Sequence, residues 1–205
     1  DSHLAAQQEA RFREGLQMSF NGTAGLWSRA AIAHGGGWTG DTLTEDLDLS
    51  MRCALKGYRM AFVKDLEVPG ELPETAAAWR AQQARWTKGH AQCARKLLPQ
   101  IWASNFPLWL KAAMSLQMCQ FGFYLLAGAS VIVSLTLMFM GVVYLESVAM
   151  LGMIVTALGV STSLFYLWQA QTILGREHEP YFLRSLLLAM IFPSGLVPSN
   201  ARATY

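Results

Sequence analysis

The sequence has little charge in its C-terminal part. Only three basic and three acidic residues follow Gln120, whereas 13 of the 16 Lys and Arg residues and 11 of the 14 Asp and Glu residues precede Phe121. A chain of 205 residues is long enough for one good-sized domain, but a single core would spread its apolar residues more evenly. The composition therefore argues against one uniform globular domain and predicts a polar domain followed by a membrane region.

Cysteine is also scarce. The three cysteines, Cys53, Cys93 and Cys119, are widely spaced and belong to no CxxC or Cys/His ligand pattern. This number and spacing argue against a disulfide framework and a zinc site, so we interpret the three as reduced and mostly buried. The histidines also show no metal-ligand spacing. We therefore predict no metal ligands within this sequence.

The sequence lacks a block of basic residues and a leader. Its net charge is only +2, and its basic residues are interleaved with acids, which argues against a nucleic-acid partner. The first residues contain no initiator Met, basic n-region or apolar h-region, so no signal peptide is predicted. We expect the chain to begin in the middle of a longer protein.

Two long uncharged stretches predict membrane spans. Residues 121–145 and 148–168 contain no formal charge, and roughly 20 apolar residues suffice for a helix to cross a bilayer. Glu146 and Ser147 would form the turn of a helical hairpin. The alternative is a pair of buried helices in a large soluble protein. Residues 183–199 are apolar but interrupted by prolines, and fit either a third span or an interfacial segment.

The basic residues around the spans predict their orientation. Lys96 and Lys111 precede the first span, Arg176 and Arg184 follow the second, and the turn between them has none. Both ends of the hairpin should therefore face the cytoplasm. We expect an integral protein of a plasma membrane or Golgi-type membrane, with the lipid bilayer as a partner and the polar domain on the cytoplasmic side.

The polar part mixes helix and strand signals. Residues 4–18 favour a helix, and 58–63 alternate in the manner of a strand. A second long helix should run from Glu74 or Thr75 to residue 98, where Pro99 would end it, with Gly89 as a potential break. We therefore predict an α/β domain over 1–98. An interfacial amphipathic connector over 99–120 and a transmembrane α region over 121–205 complete the fold class.

A glycine-rich loop at 35–37 leads into a predicted helix that runs from Thr44 or Glu45 to Lys56, with Gly57 as its C-terminal stop. Three acids, Glu45, Asp46 and Asp48, fall in its first turn, where capping and the helix dipole favour carboxylates. Capping alone would explain them. Neighbouring carboxylates also raise one another's pKa, which is how a general base is tuned, so a catalytic role is the second interpretation.

Two further stretches predict ligand contacts. Asn21, Gly22 and Thr23 form either a simple hairpin turn or a wall that a polar ligand can approach closely. On the helix around 79–89, Arg85 and Gln82 offer donors for phosphate oxygens, with Gln83 beside them, and Trp86 offers a flat face for a sugar or base. The alternative is that the tryptophans are core or interface anchors, which we prefer for Trp79. We interpret His90 as a packing residue.

These motifs resemble those of a known family. Thr44-Glu45-Asp46 followed by Gln82-Gln83-Ala84-Arg85-Trp86 resembles the TED and Q(Q/R)xRW pair of membrane-embedded family 2 glycosyltransferases, the cellulose synthase-like polysaccharide synthases. Three stretches of sequence are similar in particular to the glucomannan synthase-like branch. They are Phe20 to Gly25, the Gly-Gly-Trp at 36–38 and the acidic stretch at 41–50. The resemblance covers essentially the whole chain.

The resemblance implies the C-terminal half of a GT-A-type domain that inverts the anomeric carbon of a nucleotide sugar with a divalent metal, Mg or Mn. Asp46 would be the general base, with Glu45 beside it, and the helix from Thr44 would touch the end of the glycan. The matching positions in the long helix would contact both substrates: the diphosphate through Arg85, Gln82 and Gln83, and the acceptor sugar through Trp86. Asn21, Gly22 and Thr23 match the acceptor-lining loop.

The family's DxD metal motif has no counterpart with the right context in this sequence. We therefore expect the metal ligands and the nucleotide-binding strands to precede residue 1, and the chain alone to be inactive. The implied reaction is transfer from UDP-glucose or GDP-mannose to a growing, exported polysaccharide. Two alternatives remain open: transfer of a single sugar to a lipid, and a non-catalytic membrane subunit.

Overall fold

The computed structural model describes residues 2–20, 22, 25–63, 66, 68–71, 73–139 and 196–204, with scattered positions between 150 and 188. This part of the chain contains helices α1 Ser2–Arg13, α2 Arg29–His34, α3 Glu45–Leu55, α4 Ala76–Ala103, α5 Leu108–Met118, α6 Gly122–Phe139 and α7 Val197–Ala203. Contacts divide the chain into two compact units. The first comprises residues 8–123 and 199–205, and the second comprises 1–7 and 124–198.

The predicted strand at 58–63 is wrong. These residues follow α3 without regular secondary structure, and none of the described residues is in a strand. An alternating segment becomes a strand only when a neighbouring strand satisfies its backbone N–H and C=O groups. The described part offers no such neighbour, so the α/β character of the predicted domain is not confirmed and the described fold is helical.

Helix α3 has the boundaries that its sequence predicts. Thr44 is the N-cap residue, and Glu45, Asp46 and Asp48 lie in the first turn, at the positive end of the helix dipole. Gly57 has a φ of 86°, a left-handed conformation that favours glycine. The N–H of Tyr58 then donates to the carbonyl of Cys53 at 3.0 Å, which closes the helix.

Helix α3 is buried on two sides. One apolar stripe packs with α4 and α5 in the main core, whose buried members are Leu47, Met51, Ala54, Cys93, Ala94, Leu97, Ile101, Met114 and Met118. The other stripe, Leu49 and Cys53, packs against Ala31 of α2 and the partly buried Trp27. Only small or well-fitted neighbours are tolerated on a helix enclosed in this way, so α3 has a fixed position between α2 and the α4–α5 pair.

Helix α4 continues past both predicted interruptions, so the prediction that Pro99 ends it is wrong. The helix includes Gly89 and Pro99 and ends only at Ala103. Leu97 and Ile101, on either side of Pro99, are fully buried in the core. Their burial offsets the cost of a proline inside a helix, which is about 3 kcal/mol. Pro99 itself is exposed, as is Arg95, whose carbonyl has no N–H partner at position 99.

Helix α1 is confirmed but is shorter than the predicted 4–18, since it ends at Arg13. Helix α5 lies within the predicted connector and forms a helical hairpin with the end of α4. The indole Nε1 of Trp102 donates to Ser115 Oγ at 3.1 Å, and Lys111 Nζ donates to the carbonyl of Trp102 at 2.9 Å. These contacts fix α5 against α4, while Leu108 and Leu116 are exposed.

Helix α6 covers part of the first predicted span. Among the described residues no single helix is long and apolar enough to cross a bilayer. Helix α5 together with α6 as far as Leu137 reaches the length and composition of a span, but the pair is bent by 65° at its break. Of the other predicted spans, 148–168 is described with gaps, and 183–199 lies mostly outside the described residues. The membrane region and the predicted domain boundaries therefore stay predictions.

A buried group of charges holds α3 to its surroundings. Asp48 is fully buried, and its Oδ2 lies 2.7 Å from Nη2 of Arg52, while its Oδ1 lies 2.8 Å from Nζ of Lys96 on α4. The hydroxyl of Thr39 also donates to Oδ2 at 3.1 Å. A buried carboxylate with this many partners is compensated for the water it has lost.

The same charges hold the glycine-rich loop. The guanidinium of Arg52 donates to the carbonyls of Gly35 and Gly37, and Lys96 lies 2.8 Å from Asp41. The Lys96 hydrogen bond lowers the pKa of Asp41 from 3.8 to about 2. The stabilisation from the exposed Asp41–Lys96 pair is therefore complete at pH values above 3.8, the ordinary pKa of the aspartate. It is lost as the pH falls through about 2.

We predict that Asp48→Asn destabilises the full-length protein by about 3 kcal/mol, because Arg52 and Lys96 would keep their charges without the buried carboxylate. The matched control is Asp41→Asn, which removes an exposed partner of the same lysine. The free energy of unfolding, measured by chemical or thermal denaturation, should fall markedly for Asp48→Asn and little for Asp41→Asn. Equal losses for the two variants would contradict the role given to Asp48.

Candidate functional site

The start of α3 and the middle of α4 come unusually close together. A Cβ atom on Gly89 would lie 2.5 Å from Thr44 Cγ2 and 2.9 Å from the backbone nitrogen of Thr44. One turn further along α4, Cys93 Sγ lies 3.4 Å from Thr44 Oγ1. The amide oxygen of Gln92 also accepts the N–H of Leu43 at 2.9 Å. The residues that open α3 are therefore fixed against α4.

Asp46 receives hydrogen bonds from two backbone groups. Its Oδ2 accepts the N–H of Gly22 at 2.9 Å, and its Oδ1 accepts the N–H of Leu47 at 2.8 Å. The hydroxyl of Ser50 donates to the carbonyl of Asp46 at 2.5 Å and accepts the N–H of Phe20 at 2.9 Å. The carboxylate is thus held by its own helix and by the predicted ligand loop.

The predicted ligand loop is described only in part. Gly22 contacts Asp46, as above, whereas Asn21 and Thr23 lie outside the described residues. Phe20 anchors the beginning of the loop through its ring, which packs on Trp27 with ring centroids 5.1 Å apart. Trp27 in turn packs edge-on against Trp38, at 5.4 Å. The loop therefore has an apolar anchor beside its polar contact with α3.

The three acids of the first turn have different surroundings. Glu45 is exposed, Asp46 is half-buried, and Asp48 is fully buried in its ion pairs with Arg52 and Lys96. The carboxylate of Asp48 is therefore committed to the stability of the fold. Asp46 has the accessibility and the backbone contacts that suit a reacting group, and Glu45 lies next to it in the chain.

The predicted binding residues of α4 lie on the turns that precede Gly89. Arg85 and Trp86 are exposed, with Trp86 41% exposed, and Gln82 and Gln83 are half-buried. Residues 82, 86, 89 and 93 follow the helical spacing of three and four, so they share one side of α4. Gly89 and Cys93 on that side contact Thr44, so the first motif lies against α4 about one turn beyond the end of the second.

His90 is a neighbour of the site that the sequence interpretation set aside. Its Nδ1 donates to the carbonyl of Trp86 at 2.8 Å, and its Nε2 accepts from Gln120 at 2.6 Å. Burial lowers the pKa of His90, and the nearby charge of Asp46 opposes this shift. The ring is therefore neutral at pH 7, which agrees with one nitrogen donating and the other accepting. The sequence did contain one signal for this contact, because a residue four positions after Trp86 lies one helical turn from it.

The described residues do not fit a metal ion. They contain no group of three or more His, Cys, Asp and Glu side chains close enough to ligate one. Cys93 lies at the site, but burial raises the pKa of its thiol, which disfavours the thiolate that a metal would need. A divalent metal at this site would therefore need ligands from outside the described part of the chain.

Comparison with known proteins identifies the class. A family model described as glycosyl transferase family group 2 matches residues 5–171, and the chain belongs to this family. The chain is also similar to plant polysaccharide synthases. It is 43% identical over 101 residues to glucomannan 4-beta-mannosyltransferase 2 of Arabidopsis thaliana, which is 49% of this chain and 19% of that protein.

Two further relatives give the same result. Glucomannan 4-beta-mannosyltransferase 1 of Oryza sativa subsp. japonica is 42% identical over 49% of this chain and 19% of its own length. Glucomannan 4-beta-mannosyltransferase 9 of Arabidopsis thaliana is 40% identical over 54% of this chain and 21% of its own length. The chain thus spans about a fifth of the length of these curated relatives. No solved structure matches the chain.

We predict that Gly89→Ala disrupts the contact between α3 and α4. Helix propensity alone would favour alanine by about 1 kcal/mol, but the added methyl group meets backbone as well as side-chain atoms of Thr44. Forcing the two helices apart should cost about 1 to 3 kcal/mol of stability in the full-length protein. The matched control is Gly40→Ala, whose Cβ would meet nothing within 4 Å. A Gly89→Ala protein as stable as wild type would contradict the close contact.

Proposed function

We propose that the full-length protein is an inverting β-glycosyltransferase that transfers a sugar from a nucleotide sugar to a growing polysaccharide. In this proposal Asp46 is the general base that removes a proton from the acceptor hydroxyl, and Glu45 adds negative charge beside it. Arg85, Gln82 and Gln83 bind the diphosphate of the donor. The family membership of the chain supports the reaction class.

One observation carries the proposal. Thr44, at the beginning of the Thr-Glu-Asp sequence, contacts Gly89 and Cys93 on the same side of α4 as Gln82 and Trp86. A half-buried carboxylate, held by backbone N–H groups, is thereby adjacent to a helix that presents a guanidinium, two amides and an exposed indole. This combination suits proton removal from a sugar next to a bound diphosphate.

The acceptor would lie between Trp86 and Asp46. The exposed indole of Trp86 offers a flat apolar face on which a sugar ring can stack, and its chain position places it one turn before His90. The loop of Asn21, Gly22 and Thr23 would line the other side, since Gly22 already contacts the carboxylate of Asp46. Stacking would orient the acceptor hydroxyl without fixing the chemical identity of the sugar.

The relatives favour a mannosyl donor over a glucosyl one. They are named glucomannan 4-beta-mannosyltransferases, and they are 40–43% identical to about half of this chain. GDP-mannose is therefore the preferred donor in this proposal, with UDP-glucose as the second. Incubating the purified full-length protein with each nucleotide sugar and sizing the labelled product distinguishes the two.

The proposal includes a divalent metal and a membrane. A magnesium or manganese ion would supply charge that stabilises the leaving diphosphate, held by residues outside the described ones, and no step assigned to this chain depends on it. The uncharged stretches at 121–145 and 148–168 support an integral membrane protein with its catalytic part on the cytoplasmic side. Export of the polymer through those spans completes the proposal.

Two other functions are distinguished from this proposal by experiment. Transfer of one sugar to a lipid would use the same base and diphosphate contacts, and a product of a single sugar on lipid would identify it. A non-catalytic membrane subunit would keep the α3–α4 contact for stability alone. An intact full-length protein that binds no nucleotide sugar would favour that view over transfer.

We predict that Asp46→Asn reduces polymer formation by at least about a hundredfold, because asparagine cannot accept the proton. Folding should change little, since the asparagine side-chain oxygen still accepts one backbone N–H. The measurement is incorporation of labelled sugar by the full-length protein in membranes, with Asp41→Asn as the matched control on an exposed acid. Polymer synthesis retained by Asp46→Asn would remove Asp46 from the role of base.

We also predict that Trp86→Ala weakens acceptor use more than donor binding. Loss of a stacked aromatic face should raise the acceptor KM by roughly five- to tenfold, or about 1 to 1.4 kcal/mol. Trp86→Phe, which keeps a stacking ring, should recover most of the activity. Comparing donor hydrolysis with chain elongation tests this separation. Equal losses in hydrolysis and elongation would indicate that Trp86 acts through the fold instead of the acceptor.

A further inference from the structure

Gln117 is a polar residue on the buried side of α5. Its side chain is only 8% exposed, and Met114 and Met118 on the same side belong to the main core. A buried amide costs free energy unless both its oxygen and its nitrogen find hydrogen-bond partners. The partners of Gln117 therefore indicate why a polar residue occupies this position.

The amide of Gln117 connects α5 to two segments near the beginning of the chain. Its Oε1 accepts from Arg11 Nη1 at 2.8 Å, and its Nε2 donates to Ser19 Oγ at 3.1 Å. Ser19 is also held from another direction, because Gln8 Nε2 donates to its carbonyl at 3.2 Å. Both ends of the Gln117 amide are satisfied, and Ser19 is fixed between α1 and α5.

Ser19 begins the loop that reaches Asp46. The N–H of the next residue, Phe20, is accepted by Ser50 Oγ, and the N–H of Gly22 is accepted by Asp46 Oδ2, both at 2.9 Å. Three peptide units, at most about 10 Å of chain, separate the anchor at Ser19 from the hydrogen bond at Gly22. Ser19 and Gly22 are therefore anchors of one short segment, so that releasing Ser19 leaves the N–H group that holds the carboxylate less constrained.

We propose that Gln117 is a positioning residue: its amide holds Ser19, and through Ser19 it holds the loop whose Gly22 N–H orients the carboxylate of Asp46. The inference rests on the proposed function, in which Asp46 is the base. A carboxylate held by a fixed donor does not rotate away from its acceptor hydroxyl, and misplacement by even 1 Å lowers the rate of the chemical step. Substrate binding depends on other residues and should be unaffected.

The test compares three variants of the full-length protein. Gln117→Met keeps the volume and apolar surface of the side chain but removes both hydrogen bonds. Gln117→Glu keeps an acceptor for Arg11, and the Ser19 hydroxyl can turn to donate to the new carboxylate. The matched control is Gln100→Met, because Gln100 is exposed and its amide donates to the carbonyl of Lys96 on its own helix.

Two measurements separate positioning from a general effect on stability. Per folded protein, Gln117→Met should lower kcat for elongation on the order of tenfold while leaving the donor KM unchanged. Hydrogen exchange of the segment 19–22 should become faster in the same variant, because Ser19 is no longer held and the hydrogen bonds of the Phe20 and Gly22 amides then open more often. Gln117→Glu and Gln100→Met should match the wild-type protein in both measurements.

Several outcomes would overturn the inference. These are an unchanged kcat in Gln117→Met, an equal loss in Gln117→Glu, or unchanged exchange of the loop. If Gln117→Met does not fold, Ser19→Ala removes the other half of the contact and must lower kcat and speed up exchange in its place. Absence of transfer by the wild-type protein would overturn the proposed function instead, and the exchange comparison alone would then decide whether Gln117 holds the loop.

Discussion

The approach of α4 to the first residues of α3 is the constraint on which the candidate site depends. Only a residue without a side chain allows it, because any Cβ on Gly89 would overlap Thr44, including its backbone. The contact fixes where α3 begins and therefore where Asp46 lies relative to Trp86 on α4. Glycine in the middle of a long helix costs about 1 kcal/mol relative to alanine. Here that cost is offset by the packing of α3 against α4 at the candidate site.

Two polar arrangements hold the segments on either side of this contact. On one side, the ion pairs of buried Asp48 with Arg52 and Lys96 join α3 to α4 and to the glycine-rich loop. On the other side, Gln117 and Ser50 hold the loop that reaches the carboxylate of Asp46. Buried polar groups of this kind add little net stability, but they specify one arrangement, because alternatives would leave charges or amides without partners.

Local signals in the sequence predicted some features well and others poorly. The acids and the glycine that begin and end α3 act within one or two turns, so its boundaries followed from the sequence. Pro99 carries an equally local signal, yet burial of Leu97 and Ile101 outweighs it. The alternation at 58–63 was misleading, since a strand exists only with a partner strand. His90 was assigned to packing because it belongs to no metal-ligand spacing, although its position four residues after Trp86 places the two residues one helical turn apart.

The sequence by itself determined the class of the protein. The order of Thr44-Glu45-Asp46 before Gln82-Gln83-Ala84-Arg85-Trp86 resembled family 2 glycosyltransferases, and the family comparison confirms that membership. The same motif pointed to Asp46 as the base, but it could not determine how the surroundings of Asp46 and Asp48 differ, because both are simply acids in the first turn of a helix. The tertiary structure decided this by burying Asp48 between two cations and by holding Asp46, half-buried, with backbone N–H groups. The physical reason is that the environment of a carboxylate is set by residues distant in sequence, such as Lys96 and Gly22, which only the folded chain brings together.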